Sequence, residues 1–222
     1  VQEYGLRDGV ALDIGSSTSP FLIELARKTK MRCYAVDIDP WALRLLGVFI
    51  DQAGLAGRVS TVEGDWQSLP LRSNFADFIF SRGTIPFIPD KVRAVRETYR
   101  VLKPGGRFYA ATNGDGMRRY LHGSLRAFNP ALGAFDAVSP FSMENGRELL
   151  LRHFSAVEQF DFDDSLRVTQ TQDLIDWIES TVAISAIGDG DLEGLFEYFE
   201  AIRLRDGAIH IPKEVGLFVA AK

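Results

Sequence analysis

Apolar positions along the first half of the chain follow two alternating rhythms. Val10-Ala-Leu-Asp-Ile14 is a short apolar run that stops at a Gly/Ser turn, the pattern of a buried strand. From Pro20 to Thr29 the apolar residues Phe21, Leu22, Leu25 and Ala26 fall at helical spacing, with Ser19 placed to cap and Pro20 to open the helix. Arg32 to Asp37 predicts a second strand. Pro40 to Ala53 predicts a second helix, capped by Asp39 and closed by Gly54 and Gly57. Val59 to Glu63 and Phe75 to Ser81 predict further strands. Lys91 to Leu102 predicts a third long helix, stopped by Pro104-Gly105-Gly106, and Arg107 to Thr112 a fifth strand. Strands alternating with helices imply a parallel sheet covered on both faces.

The rhythm breaks after Thr112. Asn113 to Pro140 is rich in Gly, Asn and Pro, shows no clear period and predicts an irregular, lid-like segment. A helix over Asn145 to His153 and a strand over Ala156 to Phe162 follow. Two helices, Thr171 to Ile187 and Asp191 to Arg205, carry an acidic outer face before a terminal strand, Gly216 to Ala221. Residues 166–205 therefore form a helical insertion between the last two strands. The fold class is α/β: a Rossmann-like, seven-stranded, mostly parallel sheet with an antiparallel last strand, all in one domain over residues 1–222.

Composition adds exclusions. At 222 residues, 46% hydrophobic and 25% charged, the chain supports a full core without staples. One cysteine, Cys33, rules out an internal disulfide framework and a cysteine-based zinc site. It fits a reducing, cytoplasmic setting. No run approaches the roughly 18 apolar residues of a membrane span. The net charge of -5 argues against a nucleic-acid partner. Lys91 to Arg126 holds nine Lys/Arg against two Asp/Glu, and Ser155 to Asp206 three Arg against thirteen Asp/Glu. Both stretches read as solvated faces.

The candidate chemistry sits where strands end. Leu12-Asp13-Ile14-Gly15-Ser16-Ser17-Thr18-Ser19 is a strand running into a turn of small residues, which lets a ligand approach the backbone closely. Asp37 lies twenty-two residues beyond Gly15 at the end of the second strand, the spacing of an acid that accepts both hydroxyls of a ribose. Read alone, Asp13 and Asp37 also suit plain helix-capping and strand-end acids. No nucleophile triad, carboxylate pair or metal-ligand spacing stands out, so no catalytic group and no metal are assigned.

Taken together these strings resemble the class I S-adenosylmethionine-dependent methyltransferases, in particular the type-11 family, over about Val10 to Thr112. Leu12-Asp-Ile-Gly15 resembles the family's first motif and Val36-Asp-Ile-Asp39 its second. Val62-Glu-Gly-Asp-Trp66 is similar to the segment whose acid meets the adenine amino group. Phe75-Ala-Asp-Phe-Ile-Phe-Ser81 and Leu102-Lys-Pro-Gly-Gly-Arg-Phe108 resemble the fourth strand and the turn into the fifth. The resemblance implies S-adenosyl-L-methionine as cofactor, held by Asp13, Gly15, Ser16, Ser17, Asp37, Ile38, Gly64, Asp65, Trp66, Ser81 and Arg82. For Trp66 the alternative is core packing, for Asp65 a local cap, and Arg82 suits a carboxylate of substrate or cofactor. Ser17 and Ser19 stand where the family has its second and third glycines. Ser81-Arg-Gly-Thr-Ile-Pro-Phe87 lacks the histidine of many relatives.

The expected partner is a small-molecule acceptor met by Asn113, Arg119, Tyr120 and His122, and a homodimer is compatible with the insertion's apolar stripe. The (Asp/Asn)-Pro-Pro-aromatic string of exocyclic-amine DNA methyltransferases is absent after the fourth strand. Two rival classes remain: a nicotinamide-dependent oxidoreductase, against which stands the missing G-x-G-x-x-G, and a non-catalytic binding module.

Overall fold

Short apolar runs flanked by turn residues become strands because only a sheet buries both faces of such a run. β1 (Val10–Ile14), β2 (Arg32–Asp37), β3 (Val59–Glu63), β4 (Ala76–Arg82), β5 (Leu102–Asn113), β6 (Ala156–Phe162) and β9 (Val215–Ala221) join in one sheet of order β3-β2-β1-β4-β5-β9-β6. β9 runs antiparallel to the other six. These observations come from a computed structural model that describes residues 7–132, 138–162, 164–180 and 187–222. Asp13 pairs with Ala35 on one side and Phe80 on the other, and Asp37 with Glu63, so the carboxyl ends of β1 to β4 form one edge.

Helices cover both faces. α1 (Phe21–Lys28) and α2 (Pro40–Gln52) bury Leu22, Leu25, Leu43, Leu46 and Ile50 against Ala11, Cys33, Ala35, Phe80 and Tyr109 of the sheet. The Arg58 guanidinium donates to the carbonyls of Ala26, Thr29 and Met31, satisfying backbone groups that the end of α1 leaves open. On the other face Phe108 packs against Trp66 and Phe154, and α3 (Lys91–Val101) buries Ala94, Val95, Thr98 and Val101. A short α5 (Gly146–Leu150) precedes β6.

Two expectations need correcting. Asn113 to Pro140 is not irregular throughout: α4 (Gly116–Phe128) fills much of it. The insertion is not wholly helical either. β7 (Ser165–Val168) and β8 (Ile209–Pro212) form a two-stranded antiparallel sheet around α6 (Thr171–Ser180) and α7 (Asp189–Asp206). The predicted extension of α6 over 181–186 lies outside the described residues, as does 133–137 of the lid-like segment.

The chain divides into two compact units. The first holds residues 1–112, 145–160 and 216–222 with the seven-stranded sheet; the second holds 113–144 and 161–215. The second unit has its own core, in which Leu121 and Leu125 of α4 meet Leu174, Ile178, Leu195, Phe199, Ile209 and Ile211. No helix among the described residues is long and apolar enough to cross a membrane.

Candidate functional site

The turn after β1 is shaped by three constraints. Gly15 has φ +72°, and a Cβ there would collide with the side chain of Thr84. The amides of Gly15 and Ser16 both donate to Val36 O, at 2.9 and 3.3 Å, which locks the turn to the end of β2. Ser17 takes φ +47°, a left-handed conformation that favours glycine, whereas Ser19 does not. Pro20 sits one position ahead of the helix rather than inside it, and Ser19 Oγ accepts from Phe21 N at 3.3 Å.

Asp37 ties this turn to α2. One carboxylate oxygen accepts from Ser17 N at 2.7 Å and the other from Asp39 N at 3.0 Å. Asp39 then caps α2 by accepting from Trp41 N at 2.9 Å. Ile38, 68% exposed, stands between the two acids at the carboxyl edge. A cavity of about 490 Å³ opens beside them, lined among others by Ser17, Asp39, Trp41, Leu45 and Val48.

Asp13 is the one buried acid of the sheet edge, 1% exposed. Arg82 Nη2 donates to its Oδ2 at 2.7 Å, and Arg82 lies over the Phe21 ring with Cζ 4.6 Å from the centroid. Burial raises the Asp13 carboxyl above the ordinary range, and Arg82 pulls it partly back. Asp13 Oδ1, Ser16 Oγ and Ser81 Oγ are buried with no hydrogen-bond partner among the described residues. Such atoms are costly unless something completes them. Ser81 follows Phe80, the residue paired with Asp13, so strand alternation sends Ser81 to the opposite face of the sheet from Asp13.

The β3 end behaves differently from the reading of its residues. Gly64 is required by packing, because a Cβ there would press on Pro70. Asp65 accepts from Gln67 N at 2.8 Å and from the Gln67 amide, so it caps a tight local turn. The Trp66 indole is 3% exposed and donates to Thr98 Oγ1 at 2.8 Å. It packs as a core side chain, so its burial favours the core alternative for this residue. Glu97 accepts from Leu69 N at 3.0 Å and Arg100 donates to Leu69 O and Leu71 O, fixing the loop that carries these residues.

The acceptor candidates all belong to the second unit. The amides at the start of α4 are satisfied internally: Asp115 N donates to Glu144 and Gly116 N to Glu214, each at 3.0 Å. Asp115, fully buried, accepts from Ser139 N at 2.7 Å and Ser142 Oγ at 3.2 Å. Arg119 spends its charge on this cluster, 3.4 Å from Glu144 and 3.6 Å from Asp115. Tyr120 packs against the apolar core of its unit, and burial pushes its phenol up. Asn113 is exposed and His122 half-buried. Sequence reasoning missed Thr84 and Phe21, whose contacts with Gly15 and Arg82 join segments more than sixty residues apart.

Residues 12–110 match the methyltransferase domain family. The chain is 32% identical over 142 residues to the malonyl-[acyl-carrier protein] O-methyltransferase of Methylococcus capsulatus, covering 64% of this chain and 49% of that one. It is 31% identical over 138 residues to the ubiquinone/menaquinone biosynthesis C-methyltransferase UbiE of Yersinia pestis, covering 61% and 51%. The chain thus spans about half the length of these curated relatives. The crystal structure of YcgJ from Bacillus subtilis shares the fold, with TM-score 0.71 and 18% identity over 100% of this chain and 95% of that one.

Proposed function

We propose that the chain is a class I methyltransferase that transfers a methyl group from S-adenosyl-L-methionine to a small-molecule acceptor. The observation that carries this reading is the carboxyl edge of the first unit. There the Asp37 carboxylate is held between Ser17 N and Asp39 N, next to a buried Asp13 oxygen that lacks a partner. The donor set suits the cofactor. Each Asp37 oxygen accepts one backbone N–H and retains capacity for a ribose hydroxyl. Asp13 Oδ1 would accept from an ammonium group, removing the cost of its isolation. Ile38 supplies an apolar flank for the base, and Asp65 shares its carboxylate between Gln67 and the adenine amine.

When bound, the cofactor supplies a methyl group already activated on a sulfonium. The chain's contribution would be alignment: the turn over 15–17 and the acids at two strand ends would hold the adenosine and amino-acid ends of the cofactor. A base is needed only for an acceptor that must lose its proton early, which is consistent with the absence of an assigned one. For acceptor recognition the first candidates are Asn113, Tyr120 and His122. Arg119 is less suited, since its carboxylate partners would have to release it.

The test is acceptor-dependent release of S-adenosylhomocysteine from S-adenosyl-L-methionine across a panel of small hydroxy, keto and carboxylic acids, phenols and quinols. Release above the acceptor-free background with any member supports the reading. A protein that binds the cofactor and releases nothing across the panel fits a non-catalytic binding module instead.

A further inference from the structure

Arg82 ends β4 and its loop is pinned at two points. Gly83, at φ +76°, donates its amide to Ala111 O at 2.9 Å, and the Thr84 hydroxyl reaches Gly15 O at 3.4 Å. The guanidinium itself is fixed from below by Asp13 Oδ2 and from one face by the Phe21 ring, which is braced edge-on by Phe80 at 5.1 Å. A guanidinium has five N–H donors in a rigid fork. One serves Asp13; the others have no acceptor among the described residues, and the side chain is 35% exposed. An arginine held in a single pose with an open fork is arranged to receive rather than to brace. Planar, bidentate recognition selects a carboxylate. With Asp13 in contact and Asp37 at the neighbouring strand end, a singly charged group is favoured over a dianionic phosphate.

We propose that Arg82 is a receiving residue for a ligand carboxylate at the carboxyl edge of β4. The inference rests on the methyltransferase reading for its two sources of that group: the amino-acid carboxylate of the cofactor, or a carboxylate on the acceptor. Asp13 orients the fork, and Phe21 keeps it flat.

The experiment compares S-adenosylhomocysteine with its decarboxylated analogue, which retains the ammonium and lacks the carboxylate. Both are titrated into the wild-type chain, Arg82→Gln and Arg82→Lys. Any indirect effect through Asp13 acts on the shared ammonium and cancels in the affinity ratio. If the cofactor supplies the carboxylate, the wild type prefers S-adenosylhomocysteine by about 10- to 100-fold. Arg82→Gln then collapses the ratio to near one, and Arg82→Lys, which keeps the charge and loses the fork, gives an intermediate value. If the acceptor supplies it, the ratio is insensitive to substitution. Malonate then binds the S-adenosylhomocysteine-loaded wild type, and not the loaded Arg82→Gln or Arg82→Lys chain. A ratio insensitive to substitution, with malonate binding unaffected or absent in every chain, overturns the proposal. A wild type that binds neither adenosyl compound defeats the methyltransferase reading instead, and malonate titration of the free protein and the Arg82 variants still decides this one.

Discussion

Replacing Asp37 with alanine should damage stability and cofactor binding together, by separable amounts. The carboxylate accepts Ser17 N at 2.7 Å and Asp39 N at 3.0 Å, so the substitution strands two backbone donors. Hydrogen bonds to charged groups contribute about 1.5–3 kcal/mol each when protected. Both lie in exposed surroundings, so about 1 kcal/mol each is the better figure, or about 2 kcal/mol together. For a chain of this size that lowers the melting temperature by about 4–8 °C. Ser17 also loses the bond that fixes its left-handed backbone. If Asp37 holds the ribose as proposed, loss of the carboxylate weakens S-adenosylhomocysteine by about 10- to 100-fold. Thermal melting and calorimetric titration on one preparation measure both effects. Asp37→Asn sharpens the result, because its amide nitrogen must face one of the two backbone donors. A melting temperature within 1–2 °C of wild type would refute the knot between the turn and α2. Lowered stability with unchanged S-adenosylhomocysteine affinity would leave Asp37 structural and refute its place in the site.

Ser17→Gly releases a side chain from φ +47°, offset by the greater freedom of glycine in the unfolded chain, so stability should change by less than about 1 kcal/mol and S-adenosylhomocysteine affinity should hold or rise. A fall in affinity would mean that the hydroxyl binds the ligand. Trp66→Phe deletes the bond to Thr98 and leaves a void, costing about 1–3 kcal/mol in denaturant titration with cofactor affinity within twofold of wild type; a large loss of affinity at unchanged stability would put the indole in the site. Burial pushes the Cys33 thiol from 9.0 up to about 11, so iodoacetamide at pH 8 should label it only after denaturation. An acid raised in the folded state adds stability below its unfolded value and loses it as pH rises through 9 toward 11. Cys33→Ala should flatten that alkaline decline in melting temperature, and an equal decline in both proteins would contradict the assignment.

The seven strands of the large sheet and its four helices were legible from short apolar runs and helical stripes bounded by turn residues. α4 was not, although Met117, Tyr120, Leu121, Leu125 and Phe128 keep helical spacing. Gly116 and Gly123, together with Arg118 and Arg119, hid that stripe, and the start of α4 depends on Glu144 and Glu214, far along the chain. β7 and β8 are four residues each, too short for alternation to register, and pair across the whole insertion. The site divides the same way. The placement of Asp13, Gly15 and Asp37 at one strand edge was legible because the strand-turn-helix unit sets it locally. The Arg82 pairing with Asp13 and the burial of Trp66 under Thr98 are long-range outcomes of sheet register and helix packing, which spacing does not encode.

The central claim is that the edge formed by Asp13, the 15–17 turn and Asp37 holds S-adenosyl-L-methionine rather than a dinucleotide. Calorimetric titration of the wild-type chain with S-adenosylhomocysteine and, separately, with NAD tests it most directly. The account predicts one saturable site for S-adenosylhomocysteine and no binding heat from NAD. Saturable binding of NAD with no response to S-adenosylhomocysteine would contradict it.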